Sequence, residues 1–468
     1  MLFSSLTFLF VFLPIILIVY YLSKDECKNY ILLFFSLIFY SWGEPKYIIL
    51  MILSIIFNYY FAILIDKFNK RNKIKKFVLI LSIIFNIGLL FIFKYLGFFT
   101  TNISNILNIN IPIINITLPI GISFYTFQIL SYVVDVYRKD VKVQKNIFIL
   151  GTYISLFPQL IAGPIVRYQT VEKELKDRKH TFENFCNGFR RFIVGLGKKV
   201  IIANNIAFVA DTIFNSAIDN NYSGVVLIIA TISYTLQIYF DFSGYSDMAI
   251  GLGKMFGFEF LENFNYPYIS QSITDFWRRW HMSLSSFFRD YVYIPLGGNR
   301  VNKLKWIRNI LIVWSLTGLW HGASWNFIIW GLYFAVILLI EKLFLQNLLN
   351  KIPKVFRWFY SFILINIGWI IFRADNMDLL IYTFKNILYF DKNILYSFIS
   401  NNYNLINYSI FIILGFIFSF PISKKINTIF KNKRIYLILK DVVLIIIFVF
   451  SICTLISNSY NPFIYFRF

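Results

Sequence analysis

Charge is scarce in this chain, and acid is scarcest. Of 468 residues 15% are charged, with 23 Asp or Glu against 45 Lys or Arg. A soluble domain is about 25% charged and roughly 45–50% apolar, whereas this chain is 58% hydrophobic. That excludes a soluble enzyme. Cysteine is nearly absent: Cys27, Cys186 and Cys453 stand at unrelated positions, which excludes a disulfide framework or a thiolate metal site. Histidine is equally rare, with His180, His281 and His321 alone, so no metal cluster is expected. Also missing is any long soluble basic stretch. The net charge of +22 therefore does not indicate nucleic acid, which needs a basic face to bind it. Aromatics, by contrast, are plentiful: 55 Phe, 31 Tyr and 10 Trp. Such a chain is not disordered, and its basic excess fits the cytoplasmic loops of a membrane protein.

A bilayer span needs about 20 mostly apolar residues. Met1–Ser23 carries no charge and lacks the basic start and small-residue cleavage site of a signal peptide, so it reads as a retained helix. Further charge-free runs are Tyr47–Ile65, Phe77–Phe93, Asn220–Phe240, Asn309–Ile340, Trp358–Phe372, Asn402–Ser423 and Val442–Phe466. Weaker apolar segments lie at Tyr30–Trp42, Leu118–Val136, Ile147–Val166 and Phe192–Ala210. The expectation is an all-α polytopic membrane protein of about ten to twelve membrane helices. With no linker or soluble domain visible, residues 1–468 are expected to form a single domain.

The loops orient these spans. Asp66–Lys76 holds six Lys or Arg and one acid, and Ser423–Lys440 holds six and no acid. Both are expected to be cytoplasmic by the positive-inside rule, which leaves both termini outside. Thr101–Thr117 has no charge and is expected to face outward. Arg167–Arg191, polar and mildly basic, reads as a cytoplasmic arm, with His180 solvated in it.

Asn309–Ile340 is 32 residues without a formal charge, too long for one straight span. Gly318 and Gly322 flank Leu319, Trp320 and His321. The expectation is a broken or closely turned helix pair with His321 at the break, deep in the membrane. An ionisable group there is costly and marks function by default; a neutral imidazole bonded to a carbonyl is the bland alternative. Upstream, Asp275–Arg300 reads as an amphipathic helix with Phe276, Trp280, Phe287 and Tyr291 on one stripe and Arg278, Arg279, Arg289 and Asp290 on another side. Either an interfacial anchor or a cavity wall explains that pattern, and His281 beside Trp280 is less expected in an anchor. Asp241 and Asp247 end an apolar run in FDFSGYSDMAIGLG from Phe240. Such carboxylates need partners, and Arg278 and Arg279 are the candidates. The glycines between them also permit simple close helix packing.

Several stretches carry a resemblance: LPIGISFYTFQILSYVVDVYR from Leu118, LFPQLIAGPIVRY from Leu156, FDFSGYSDMAIG from Phe240, FWRRWHMSLSSFFRDYVYIPLGGNR from Phe276, LTGLWHGASW from Leu316 and the tail PFIYFRF from Pro462. The chain resembles the membrane-bound O-acyltransferase (MBOAT) family, in the bacterial branch of the alginate O-acetyltransferase membrane subunit. The resemblance covers nearly the whole chain. It implies a fold of many helices, some broken or re-entrant, around a central funnel with His321 at its floor. It also implies a catalytic role for His321 in WHG, a second functional role for His281, and Trp320, Gly322, Trp280, Asp241, Arg278 and Arg279 as supporting or funnel-lining residues. The implied reaction moves an acetyl group from a cytoplasmic donor, acetyl-CoA or another acyl thioester, across the bacterial cytoplasmic membrane. The acceptor is an extracytoplasmic polysaccharide such as alginate, peptidoglycan, cellulose or another exopolysaccharide, with an extracytoplasmic partner protein completing the transfer. No tightly bound cofactor and no metal are expected. D-alanyl transfer to teichoic acid is a related alternative. A secondary transporter or a structural subunit of a polysaccharide export complex belongs to a different class.

Acyl transfer needs a base near the hydroxyl and a donor for the developing oxyanion. An imidazole suits the first task, since its ordinary pKa lies near operating pH. His321 is the expected base, or the nucleophile of an acetyl-His step; His281, Trp320 or backbone amides near Gly318–Gly322 are expected to polarise the carbonyl.

Overall fold

A computed structural model describes residues 1–109, 112, 116–457 and 460–463; the tail motif beyond Phe463, and with it the end of the expected last span, lies outside the described residues. Among those residues the chain is helical, without a β-strand. Seven helices are long and apolar enough to cross a membrane: Ile48–Lys67, Asn72–Leu107, Phe182–Asn215, Val225–Met255, Trp325–Lys351, Lys354–Arg373 and Arg434–Ser457. The pair Tyr403–Phe418 and Ile422–Phe430, bent by 59°, raises this to eight. The chain is thus an all-α polytopic membrane protein. The remaining apolar runs counted toward ten to twelve are shorter helices. Ile147–Val166 yields Ile147–Ser155 and Phe157–Leu160, because Pro158 has no N–H with which to continue the first. Leu118–Val136 yields the 17-residue helix Ile122–Arg138.

The described residues fall into two compact units, Met1–Phe192 with Met248–Leu261, and Ile193–Asp247 with Glu262–Phe468. In the first unit an aromatic core gathers Phe3, Phe8, Phe12, Phe39 and Phe157. Beside it lies a polar cluster between the helices Ile48–Lys67 and Asn72–Leu90. Asn58 Nδ2 donates to Asn86 Oδ1 at 3.0 Å and to the Ser54 carbonyl at 2.8 Å. Asn86 Nδ2 returns a bond to Asn58 Oδ1 at 2.7 Å and reaches the Ser82 carbonyl at 2.8 Å. In an apolar solvent such pairs hold helices together, because an unpaired amide there has no water to turn to.

The polar arm of this unit is better ordered than its sequence implied. His180 is half-buried and hydrogen-bonded, not free in water. Tyr20 gives its hydroxyl proton to the Phe256 carbonyl at 2.9 Å, so at 2.8 Å its oxygen accepts from His180 Nε2. Burial first, then the nearby Lys28 and Arg178, push the His180 pKa below its ordinary value. Tyr20 and Lys28 stand 160 and 152 positions away, beyond the reach of any local pattern.

The second unit is built from α1 (Asn204–Asn215), α2 (Val225–Met255), α3 (Ile273–Trp277), α4 (Met282–Phe288), α5 (Lys303–His321), α6 (Trp325–Ile340) and α7 (Lys354–Arg373); the end of α2 belongs to the first unit. The FDFSGYSDMAIG motif is explained here by packing and charge pairing. A Cβ on Gly244 would stand 2.8 Å from the Gly195 carbonyl oxygen, so this residue lets α2 approach the preceding helix. Asp241 does not meet Arg278 or Arg279: it pairs with Lys199 at 2.6 Å, the two side chains 3% and 1% exposed, and Asp247 pairs with Lys198 at 2.7 Å. Lys199 also donates to the Pro462 carbonyl, and Tyr245 packs on Phe463 with ring centroids 4.8 Å apart. The buried pair therefore tethers residues 460–463 to this unit.

Candidate active site

The run Asn309–Ile340 does fold as a turned pair. Helix α5 ends at His321, and α6 begins at Trp325. Gly318 and Gly331 face each other across the pair, where a Cβ on either would lie 2.3 Å from a backbone carbonyl oxygen of the other helix. Only residues without a Cβ allow that approach. A Cβ on Gly322 would strike the Phe327 ring at 2.2 Å, so Gly322 serves the turn. His321 is thereby held at the end of α5, 4% exposed, with its ring 5.0 Å from Trp330 and 5.2 Å from Phe372.

The segment at Asp275–Arg300 is not one amphipathic helix. It breaks at His281, whose φ of 44° is left-handed, a backbone state that costs a non-glycine residue about 1–3 kcal/mol and gathers at functional sites. The expected aromatic stripe divides at this break. Trp280 joins Phe276, Phe264 and Trp369 in a buried cluster, while Phe287 packs on Tyr291 at 4.8 Å. Two devices hold the break. Glu341, beyond α6, accepts from the backbone N–H of Ile273 and of Thr274 at 2.6 and 3.0 Å and so caps α3. Backbone bonds from Met282 N–H to Asn263 O and from Asn265 N–H to Arg279 O, 3.0 and 2.9 Å, tie the turn to the 263–265 strip.

These devices bring the two histidines to one cavity of about 260 Å³. His281 and His321 both line it, with Arg278, Arg289, Lys342 and Trp277 among the other residues of its wall. Trp320 stands beside both imidazoles, its ring 5.8 Å from that of His281 and 5.0 Å from that of His321. The charged residues of the wall are cations, with no carboxylate among them. Trp280, Gly322, Asp241 and Arg279 are not on this wall. Arg279 instead pairs with Asp275 at 2.9 Å, both about one-third exposed.

His281 is 1% exposed and lies outside the spanning helices. Burial lowers its pKa from the ordinary value and keeps the ring neutral. Its Nδ1 is 3.1 Å from Asn263 Oδ1, which also takes the Ser283 backbone N–H at 3.2 Å and the Ser283 hydroxyl at 2.9 Å. Its Nε2 is buried and has no hydrogen-bond partner among the described residues. Sequence reasoning missed Asn263, which no motif spacing joins to a residue 18 positions on.

A second cavity of about 190 Å³ adjoins the neighbours of His321. Phe372, which packs on His321, lines it together with Ser324, Asn326, Gln237, Asp211 and Arg373. Arg373 is 3% exposed and bonds Asp211 at 2.9 Å and Asp375 at 2.7 Å. Among the described residues no group of three or more His, Cys, Asp or Glu could hold a metal ion.

The model of the membrane-bound O-acyltransferase family matches residues 135–373, a stretch that contains both histidines. The chain is 43% identical over 382 residues to the probable alginate O-acetylase AlgI of Pseudomonas aeruginosa, covering 81% of this chain and 73% of that protein. It is 38% identical over 413 residues to the peptidoglycan O-acetyltransferase of Helicobacter pylori, covering 81% and 78%. Similarity to the teichoic acid D-alanyltransferase of Bacillus subtilis is lower, 33% over 256 residues, covering 52% and 62%.

Proposed function

The chain belongs to the membrane-bound O-acyltransferase family, and from that premise we propose that it moves an acetyl group from a cytoplasmic acyl thioester to a hydroxyl of an extracytoplasmic polysaccharide. It is an O-acyltransferase and a multi-pass membrane protein. The stronger likeness to alginate and peptidoglycan acetylating enzymes than to a D-alanyl transferase favours acetyl as the group moved. Residues 1–468 act as one acyltransferase domain of the bacterial cytoplasmic membrane, with both termini outside, and an extracytoplasmic partner completes delivery to the polymer.

The observation that carries this reading is the meeting of His281 and His321 at one cavity. Its cations suit an anionic donor, such as the phosphates of acetyl-CoA. His321 adjoins both cavities through Phe372, which is where a donor and a hydroxyl entering separately would meet. In the proposed step His321 takes the hydroxyl proton as the oxygen attacks the thioester carbon, and the protonated imidazole returns it to the leaving thiolate. An imidazole protonated on Nδ1 offers a lone pair at Nε2 and not a proton. His281 is therefore assigned the acceptor role, orienting the group that donates to it, and oxyanion stabilisation falls to other donors. Trp277 Nε1, buried on this wall without a hydrogen-bond partner among the described residues, is one of them.

The test is transfer of labelled acetyl from acetyl-CoA to alginate or peptidoglycan in membranes carrying the chain. Incorporation that requires intact chain supports the reading. Substrate flux across vesicles without acyl transfer returns the protein to the transporter class.

A further inference from the structure

We propose that Asn263 is the positioning residue of this site: it fixes the tautomer of His281 so that the Nε2 lone pair faces the reaction. This rests on the proposal above that His281 belongs to the active site.

Hydrogen-bonding capacity decides where the His281 proton sits. A backbone N–H can only donate, so the amide atom of Asn263 that lies 3.2 Å from the Ser283 nitrogen is its oxygen. An amide oxygen can only accept. Ser283 Oγ, 3.5 Å from His281 Nδ1, has one proton and gives it to the nearer Asn263 Oδ1 at 2.9 Å, so His281 Nδ1, 3.1 Å from that same oxygen, carries a hydrogen. A neutral imidazole holds one proton, so Nε2 is bare. Nε2 is also the ring nitrogen without a hydrogen-bond partner among the described residues, in a residue on the cavity wall. The rest of the surroundings supports neutrality. Phe242 and Trp320 pack on the ring at 4.7 and 5.8 Å. Asn263 and Ser283 are uncharged, and the cavity's charged groups are Arg278, Arg289 and Lys342, with His321 and Tyr293 titratable. Arg289 is itself paired with Asp290 at 2.6 Å, and it is burial of the ring that disfavours an imidazolium.

The geometry is also locked. Asn263 is itself 1% exposed, and its carbonyl takes the Met282 N–H, so the orienting side chain and the strained turn at His281 are held by one strip of backbone. The hydrogen bond made by one ring nitrogen of a histidine decides which nitrogen is left to work. Loss of an orienting hydrogen-bond partner costs roughly 10–100-fold at metal-bound histidines and about 10⁴-fold where the wrong tautomer results.

Two substitutions and one spectrum test this. Asn263→Asp keeps an acceptor for both Nδ1–H and the Ser283 N–H, and Asn263 Nδ2 has no partner to lose among the described residues. Its new negative charge favours the imidazolium. Activity should survive at alkaline pH, while the acidic limb of the kcat/KM profile moves up by about one unit or more. Asn263→Leu removes the acceptor, and kcat should fall by roughly 10–100-fold with donor KM little changed. Since the chain has three histidines, ¹⁵N-histidine spectra of the purified full chain give a readout that needs no turnover. One imidazole should show a protonated Nδ1 and a bare Nε2, should vanish in His281→Gln, and should lose that pattern in Asn263→Leu. An unshifted acidic limb in Asn263→Asp, or a His281 ring protonated on Nε2, overturns the proposal. Full activity in His281→Gln would instead overturn the underlying assignment of His281 to the site, whatever the Asn263 variants do.

Discussion

Two buried polar clusters in this protein use similar residues and end differently. In the first unit Asn58, Ser82 and Asn86 close on themselves: each amide nitrogen donates twice and each amide oxygen accepts. In the second unit Asn263, Ser283 and His281 also bond together, but His281 Nε2 is left over, and the residue lines a cavity. The backbone differs as well. Asn58 and Asn86 sit inside regular helices, whereas His281 sits at a left-handed break between two short ones. A cluster that satisfies itself contributes helix association in the membrane. A cluster with an unused lone pair and a strained backbone has stability withheld from it, and that is the mark of a group kept for a substrate.

The largest effect is expected from His321→Ala. Loss of a general base costs about 10²–10⁴ in rate, while truncating a costly polar group at a helix end should leave the protein folded. Acetyl transfer in membranes at matched abundance measures it, and more than about a tenth of wild-type rate would remove His321 from the base role. His281→Ala comes next, with a loss of roughly tenfold to a hundredfold, below the range for a full base, and little change in melting temperature. A rate loss equal to that of His321→Ala would make the two imidazoles joint carriers of the proton step.

Asn58→Leu should behave in the opposite sense. It strands the Asn86 amide and should lower stability by about 1–2 kcal/mol, read as reduced folded protein after detergent heating, with activity per folded molecule unchanged. The double change Asn58→Leu with Asn86→Leu should recover much of the loss, since removing both partners leaves nothing unpaired. A catalytic defect in either would erase the distinction drawn here. The smallest effect belongs to Arg279→Ala. Its partner Asp275 is 34% exposed, and an ion pair so open to water contributes about 0–1 kcal/mol. A severe folding defect would place that pair in a drier setting than its exposure indicates.

Much of the fold was legible because its signals are local. Runs such as Tyr47–Ile65 and Asn220–Phe240 are apolar over a bilayer's length and become spanning helices. The 32-residue run around His321 was too long for one straight span, and its glycines marked the turn that α5 and α6 make. The aromatic stripe from Phe276 to Tyr291 was misleading, because helical spacing is blind to one left-handed residue between two helices. His180, in a polar stretch, gave no sign of Tyr20.

By itself, then, the sequence determined the membrane class, most of the long helices, the break at His321 and the family to which the chain belongs. Each of these depends on residue types within a turn or a span of one another. Tertiary structure alone decided the partners: Lys199 for Asp241 across 42 positions, Glu341 for the start of α3, and Asn263 for His281. It also decided that Arg278 lines the cavity while Arg279 turns to Asp275. Hydrogen bonds act over about 3 Å, and which groups come that close is set by the packing of helices distant in the chain. That packing also determines which nitrogen of His281 is left bare.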